Sequence, residues 1–365
     1  MGFNCGIVGL PNVGKSTLFN AVTNTSAAAA ANYPFCTIEP NVGRVPVPDS
    51  RLDTLARLAR SARTVPTQLE IKDIAGLVRG ASRGEGLGNK FLGAIREVDA
   101  IVEVLRCFED PDVTHVEGRV DPVRDAELIE TELLLADLQS LERQKDGLVK
   151  RARGSDKEAK ARLELLEHVL PALEAGRQAR TLELAEAERE LLAGFGLLTA
   201  KPILYVCNVD EVSAATGNEL SEQAAALART QGARHVVISA AIEAELSALS
   251  EADKAEYLAG MGLDEPGLNR VIREGHELLG LLTFFTAGPK EARAWTLRGG
   301  ATAPQAAGVI HTDFERGFIC AEVIAYEDYV RLGGEQGARE QGRMRLEGRD
   351  YRIEEGDVCH FRFNV

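Results

Sequence analysis

No apolar run in this 365-residue chain approaches the length a helix needs to cross a bilayer, which argues against a membrane-spanning helix. The N-terminus lacks a basic stretch followed by a long apolar run and a cleavage site, so it does not read as a secretory signal. Paired cysteines are missing too. Cys5, Cys36, Cys107, Cys207, Cys320 and Cys359 are scattered singly, with no C-x-x-C, and a reducing cytoplasm fits them best. Cys5 and Cys207 fall in expected buried strands, where a free thiol behaves as a small hydrophobe. An excess of positive charge is absent as well. A formal net charge of −14 argues against a protein that coats nucleic acid indiscriminately, and no sequence-specific DNA partner is expected. Two local basic clusters could still dock on an RNA-rich particle. They are Lys145, Lys150, Arg151, Arg153, Lys157 and Lys160, and Arg339, Arg343, Arg345, Arg349 and Arg352. Acids intersperse both, which is the pattern of a solvated surface.

What the sequence does contain is Gly9-Leu10-Pro11-Asn12-Val13-Gly14-Lys15-Ser16, between the apolar run Phe3–Val8 and the helical pattern beginning at Thr17. This is G-x-x-x-x-G-K-S in the strand–loop–helix setting that a phosphate-binding loop requires. Glycines at both ends let the backbone wrap a polyphosphate, with the amides of Asn12 to Thr17 turned inward at a helix N-terminus. Lys15 would reach the β- and γ-phosphates and the Ser16 hydroxyl would ligate Mg2+. Asn12 is a further candidate to help bind a monovalent cation such as K+ near the phosphates.

Short Val- and Ile-rich runs alternate with helical patterns in the first part of the chain, the mark of βαβ units and a mostly parallel sheet. Strands are expected at Phe3–Val8, Val42–Val47, Gln68–Ile71, Ala100–Arg106, Ile203–Asn208 and His235–Ile238. From about Asp125 to Leu198 strong helix formers dominate. Leu134, Leu138, Leu141 and Leu148, then Leu163, Leu166, Leu170 and Leu173 after the break at Arg153–Asp156, predict two helices folded back on each other as a projecting arm. The alternative is that these helices cover the α/β core. After about Gly280, half-exposed strand patterns at Leu282–Thr286, Trp295–Leu297, Ala321–Tyr326 and Cys359–Phe363 predict a small separate α+β module. The expected division is a nucleotide-binding domain over 1–124 and 199–279, the arm over 125–198, and the module over 280–365.

Four further segments follow in the order of a GTPase-type domain. Thr37 sits where a first switch would place a hydroxyl at Mg2+. Asp73-Ile74-Ala75-Gly76 closes a strand: Asp73 would hold Mg2+ through water, and the Gly76 amide would sense the γ-phosphate. The Gly-rich stretch after it suits a second switch. Position 77 is Leu where small GTPases carry a water-positioning Gln, so intrinsic turnover should be slow unless another group orients water. His115 is one candidate, because a neutral imidazole accepts a hydrogen bond from water; a surface-loop histidine without a role is the alternative. Asn208-Val209-Asp210-Glu211 departs from the guanine-reading N-K-x-D. Val209 replaces the lysine that packs on the base, and the extra methylene of Glu211 displaces the carboxylate that pairs with guanine. Asn208 can still bond the N7/N6 edge of adenine, and Ser239 and Ala240 supply a loop over the base. ATP is expected over GTP.

Together with the ending Leu346–Val365, these segments resemble the YchF / Obg-like ATPase family across essentially the whole chain. The resemblance implies an α/β, P-loop GTPase-like (Obg-type) domain with an inserted antiparallel helical hairpin and a C-terminal ubiquitin-like α+β TGS domain. It implies ATP hydrolysis with Mg2+, a catalytic histidine matching His115, and ribosome association through the arm and the TGS domain. The expected protein is a cytoplasmic, monomeric ATPase switch. The rivals are an Obg-class GTPase and a non-hydrolytic, nucleotide-controlled ribosome-binding module.

Overall fold

The computed structural model describes residues 3–32, 41–74, 87–115 and 118–364. Its strands are β1 (Asn4–Val8), β2 (Val42–Pro46), β3 (Thr64–Val65), β4 (Gln68–Asp73), β5 (Ala100–Arg106), β6 (Ile203–Asn208), β7 (Arg234–Ile238), β8 (Leu281–Ala287), β9 (Ala292–Arg298), β10 (Phe318–Ile324), β11 (Arg345–Glu347) and β12 (Val358–Phe363). They form two sheets, and the chain divides into two compact units. The first comprises residues 1–45 and 70–275, and the second residues 46–69 and 276–365.

The first unit carries the sheet ordered β2-β4-β1-β5-β6-β7, in which β1 pairs in parallel with β4 and β5, and β6 with β5 and β7. Its central strands are buried along their length: every residue of β5 and β6 is buried, as expected for strands covered on both faces. One of them is a carboxylic acid. Glu103 has no exposure, neither oxygen has a hydrogen-bond partner among the described residues, and it lies in register with Tyr205 of β6. Burial, with Glu130 nearby, holds its carboxyl well above the usual range, against a smaller opposing pull from Arg180. The folded chain therefore binds this proton more tightly than the unfolded chain does. That contribution to stability is complete at acid pH and declines as pH rises from about 4.5 towards the raised value. Glu103→Gln should accordingly flatten the fall in Tm between about pH 5 and pH 8; a calorimetric profile parallel to wild type would refute it.

The leucine seam follows the predicted spacing only in part, Leu134 and Leu138 of the first helix packing at the margin of its core. The first arm helix runs Pro122–Ala152, with Asp121 accepting from the Arg124 amide at 3.1 Å as its cap. The second runs Lys157–Glu174 and begins at the cap Asp156. Leu141, Leu148, Leu166 and Leu173 are buried between them, but Leu165 and Val169 share the core while Leu163 and Leu170 only pack at its margin. The return segment is not a bare linker. A short helix, Glu186–Ala193, with Phe195 and Leu197 adds a third layer to this core. Asp137 ties that segment down, accepting from the amides of Leu198 and Thr199 at 2.8 Å each and from the Thr199 hydroxyl at 2.7 Å.

In the second unit the sheet is ordered β11-β10-β12-β8-β9-β3. A parallel β12–β8 contact joins two antiparallel pairs, β8–β9 and β10–β12, in the ubiquitin-like manner. The helix Ala303–Ile310 sets Ala303, Ala306 and Ala307 against Phe284, Phe318 and Phe361. On the other side Leu52 and Leu55, from the helix Ser50–Ala59, pack with Phe285, Ile324 and Val358. Residues 46–69, expected within the nucleotide-binding domain, thus supply a helix and the edge strand β3 to this second unit. Their pattern matches an ordinary crossover helix, and an apolar stripe fixes which face is buried but not which sheet buries it.

Candidate nucleotide-binding site

β1 ends at Val8 and the chain turns through residues 9–14 into the helix Lys15–Asn32. Two backbone positions make this turn possible. Asn12 adopts φ +63° and Gly14 φ +93°, the left-handed region that a glycine occupies without strain. Gly9 is fixed by space instead: a Cβ there would lie 2.8 Å from the Val104 carbonyl oxygen. Val13 is buried beneath the loop, while Ser16 and Thr17 are exposed on the first turn. The first amides of an α-helix have no intrahelical acceptor, so this end of the helix presents donors and the positive end of its dipole.

Parallel pairing of β1 with β4 brings Asp73 level with Ile7, close to the start of the loop. There the Lys15 ammonium forms an ion pair with Asp73 Oδ1. The lysine proposed for phosphate and the carboxylate proposed for the metal are therefore adjacent, each partly shielded from solvent.

Asn208, at the end of β6, is 4% exposed and both ends of its amide are engaged. Nδ2 donates to the Val13 carbonyl at 2.9 Å, and Oδ1 accepts from the Ala240 amide at 2.8 Å. Its side chain thus braces the phosphate loop against the loop after β7; an amide carries a second N–H and a second oxygen lone pair, so this brace is compatible with a base-reading role. Gly14 completes the brace, because a Cβ there would fall 2.2 Å from Asn208 Nδ2. Val209 is also buried, its amide donating to Ile238 at 2.8 Å, so it belongs to the core and not to a base-stacking surface. Glu211 is exposed, and beside it stands Val212 at 92% exposure, an apolar side chain that the sequence did not single out. Ser239 is buried, and its hydroxyl has no hydrogen-bond partner among the described residues.

His115 is buried, and its Nε2 lies 2.9 Å from Asp125 Oδ2 on the first turn of the long arm helix. The loop before it touches the phosphate loop directly: Asn12 Nδ2 donates to the Thr114 carbonyl at 3.1 Å. Asp125, Asn218 and Arg106 all shape this region and were not singled out from the sequence. A charged side chain closing an apolar strand was the available signal for Arg106. Thr37 and Gly76, with Leu77, lie outside the described residues.

A glycine-turned loop feeding a helix from the C-terminal end of a central parallel strand, braced by an asparagine two strands away, defines the class of P-loop nucleotide-binding proteins with a GTPase-type domain. A family model described as 50S ribosome-binding GTPase matches residues 4–137. The YchF GTPase C-terminal model, described as a protein of unknown function (DUF933), matches residues 281–364. Over the full length of both chains, this protein is 56% identical to the "Ribosome-binding ATPase YchF" of Haemophilus influenzae and 51% identical to that of Bacillus subtilis. The solved structure of the Schizosaccharomyces pombe YchF GTPase is 38% identical, with a TM-score of 0.90 covering 99% of this chain and 98% of that one. The chain belongs to the YchF family.

Proposed function

We propose that this protein is a Mg2+-dependent ATPase whose nucleotide state governs its association with ribosomes. The adjacency of Lys15 and Asp73 at the phosphate loop carries this reading. A triphosphate there would draw Lys15 to its β- and γ-oxygens and release Asp73 to hold Mg2+ through water, with the Ser16 and Thr37 hydroxyls as ligands. These are hard oxygen donors, which suit Mg2+, and the metal would neutralise charge on the phosphates. The Gly76 amide would report the γ-phosphate, and His115 would orient the attacking water. A K+ role for Asn12 would use its amide oxygen, which the bond from Nδ2 to the Thr114 carbonyl leaves open to such a role.

The preference for ATP rests on Val209 and Glu211 standing where a guanine reader carries Lys and Asp, with Asn208, positioned by its brace, meeting the N7/N6 edge of adenine through its second N–H. The loop after β7, with Ser239 and Ala240, would lie over the base and offer it backbone groups. Two curated relatives carry the name ribosome-binding ATPase, which supports both halves of the proposal. The arm (125–198) and the C-terminal module (280–365) are the ribosome-facing parts in this reading. Around the arm's turn Lys150, Arg151, Arg153, Lys157 and Lys160 are exposed, a local positive patch on an acidic protein. Cytoplasmic residence and a monomeric state follow from the same reading.

The second reading is a GTPase, the word used for the Schizosaccharomyces pombe structure. Competition of ATP and GTP for the Mg2+-loaded site separates the two. At least about tenfold tighter binding of ATP is expected, roughly 1.4 kcal/mol; equal or tighter binding of GTP would establish the second reading.

A further inference from the structure

We propose that Arg106 is a positioning residue for hydrolysis: its guanidinium folds the loop that delivers His115 beside the phosphate loop. The inference rests on the assignment of His115 as the group that orients water. Arg106 is the last residue of β5 and is 1% exposed. Nε donates to the Phe108 carbonyl at 3.1 Å, Nη1 to the Val113 carbonyl at 2.9 Å and Nη2 to the Asp110 carbonyl at 3.3 Å. The guanidinium carbon lies 4.7 Å from the centroid of the Phe108 ring. A planar fork holding three carbonyls of one short loop dictates the path of that loop, which a flexible ammonium cannot do.

The same loop is tied at both ends. Asn218 Nδ2 donates to the Cys107 carbonyl at 2.7 Å, and Asn12 of the phosphate loop holds the Thr114 carbonyl. His115 follows at once, with its ring on Asp125. Burying a guanidinium against carbonyl dipoles is costly, and a plain strand-to-helix connection of this length needs no such core. A connection that must hold a histidine in register with the phosphate loop does. Asn12 meets the loop at its last residue before His115, so the fork and the phosphate loop fix the same point of the chain.

Arg106→Lys keeps the charge and cannot span the three carbonyls. Its kcat for ATP should fall at least about tenfold while the Kd for ATP stays within about twofold of wild type. In a double-mutant cycle with His115→Ala, the doubly substituted protein should turn over no more slowly than His115→Ala alone, because one residue acts through the other. Wild-type turnover of Arg106→Lys beside a slow His115→Ala, or losses that multiply in the double variant, would overturn the proposal and leave the His115 assignment standing. Wild-type turnover of His115→Ala would remove that assignment and this proposal with it. If Arg106→Lys does not fold, Phe108→Ala takes its place in the cycle. It removes the ring over the guanidinium from a half-buried position and should lower kcat about threefold, with the same non-additivity.

Discussion

Lys15→Ala is expected to lower kcat/KM for ATP by at least about 10²-fold, with a large part of the loss in nucleotide affinity. The reason lies in the position of the ammonium. Lys15 opens the helix after the phosphate loop, and its partner Asp73 is held level with the last turn of β1 by parallel pairing. The lysine is therefore already beside the place where, in the proposed reading, a triphosphate would meet the helix N-terminus, and a charge-assisted hydrogen bond to a phosphate oxygen is among the strongest single contacts a protein makes. Its removal also leaves Asp73 as an uncompensated negative charge facing an incoming polyanion, so the two losses act in the same direction. Asp73 keeps enough solvent access for its unpaired charge to stay hydrated, so the fold itself should lose little stability. Titration calorimetry with ATP, alongside thermal unfolding, separates binding from folding. An ATP affinity within twofold of wild type, in a protein with an unchanged Tm, would show that the phosphates lie elsewhere.

Much of this site was legible in the sequence because its chemistry is local. The loop from Gly9 to Ser16 needs glycines at fixed spacing, a lysine and a hydroxyl in one unbroken stretch, and the turn before it is set by a buried strand. The arm was legible for the same reason, its seam being written at heptad-type intervals within each helix. What escaped depends on contacts between distant segments. Asn208 was expected at the purine, but the bridge its amide makes between Val13 and Ala240 could not be foreseen, being an arrangement created by the β5–β6–β7 order. Residues 46–69 were expected within the nucleotide-binding domain, since Leu52 and Leu55 advertise only that they need cover and not which sheet gives it. Arg106 closed a mostly apolar strand that also carries Glu103, and nothing in its neighbours announces three carbonyls folding back over it.

His115→Ala should slow single-turnover hydrolysis about 10²-fold or more while leaving the Kd for ATP within about twofold. In the proposed reading Leu77 stands where small GTPases carry the water-orienting Gln; a leucine side chain has no hydrogen-bonding group, so another side chain would take the task. His115 is brought to the phosphate loop by the Asn12–Thr114 bond, and its imidazole is held by Asp125 at 2.9 Å. A carboxylate partner on one ring nitrogen raises the hydrogen-bonding power of the other, as it does in histidine dyads generally. Truncation also strips Asp125 of that partner in a buried setting, so Tm should fall, and a fall in rate alone would not separate chemistry from damage. His115→Gln resolves this. An amide can bond Asp125 and still accept from water, so it should recover part of the lost rate, whereas His115→Leu, of similar bulk and without polar atoms, should not. Equal turnover in the Gln and Leu variants would return His115 to a structural role, and the water would then have to be oriented from another part of the chain.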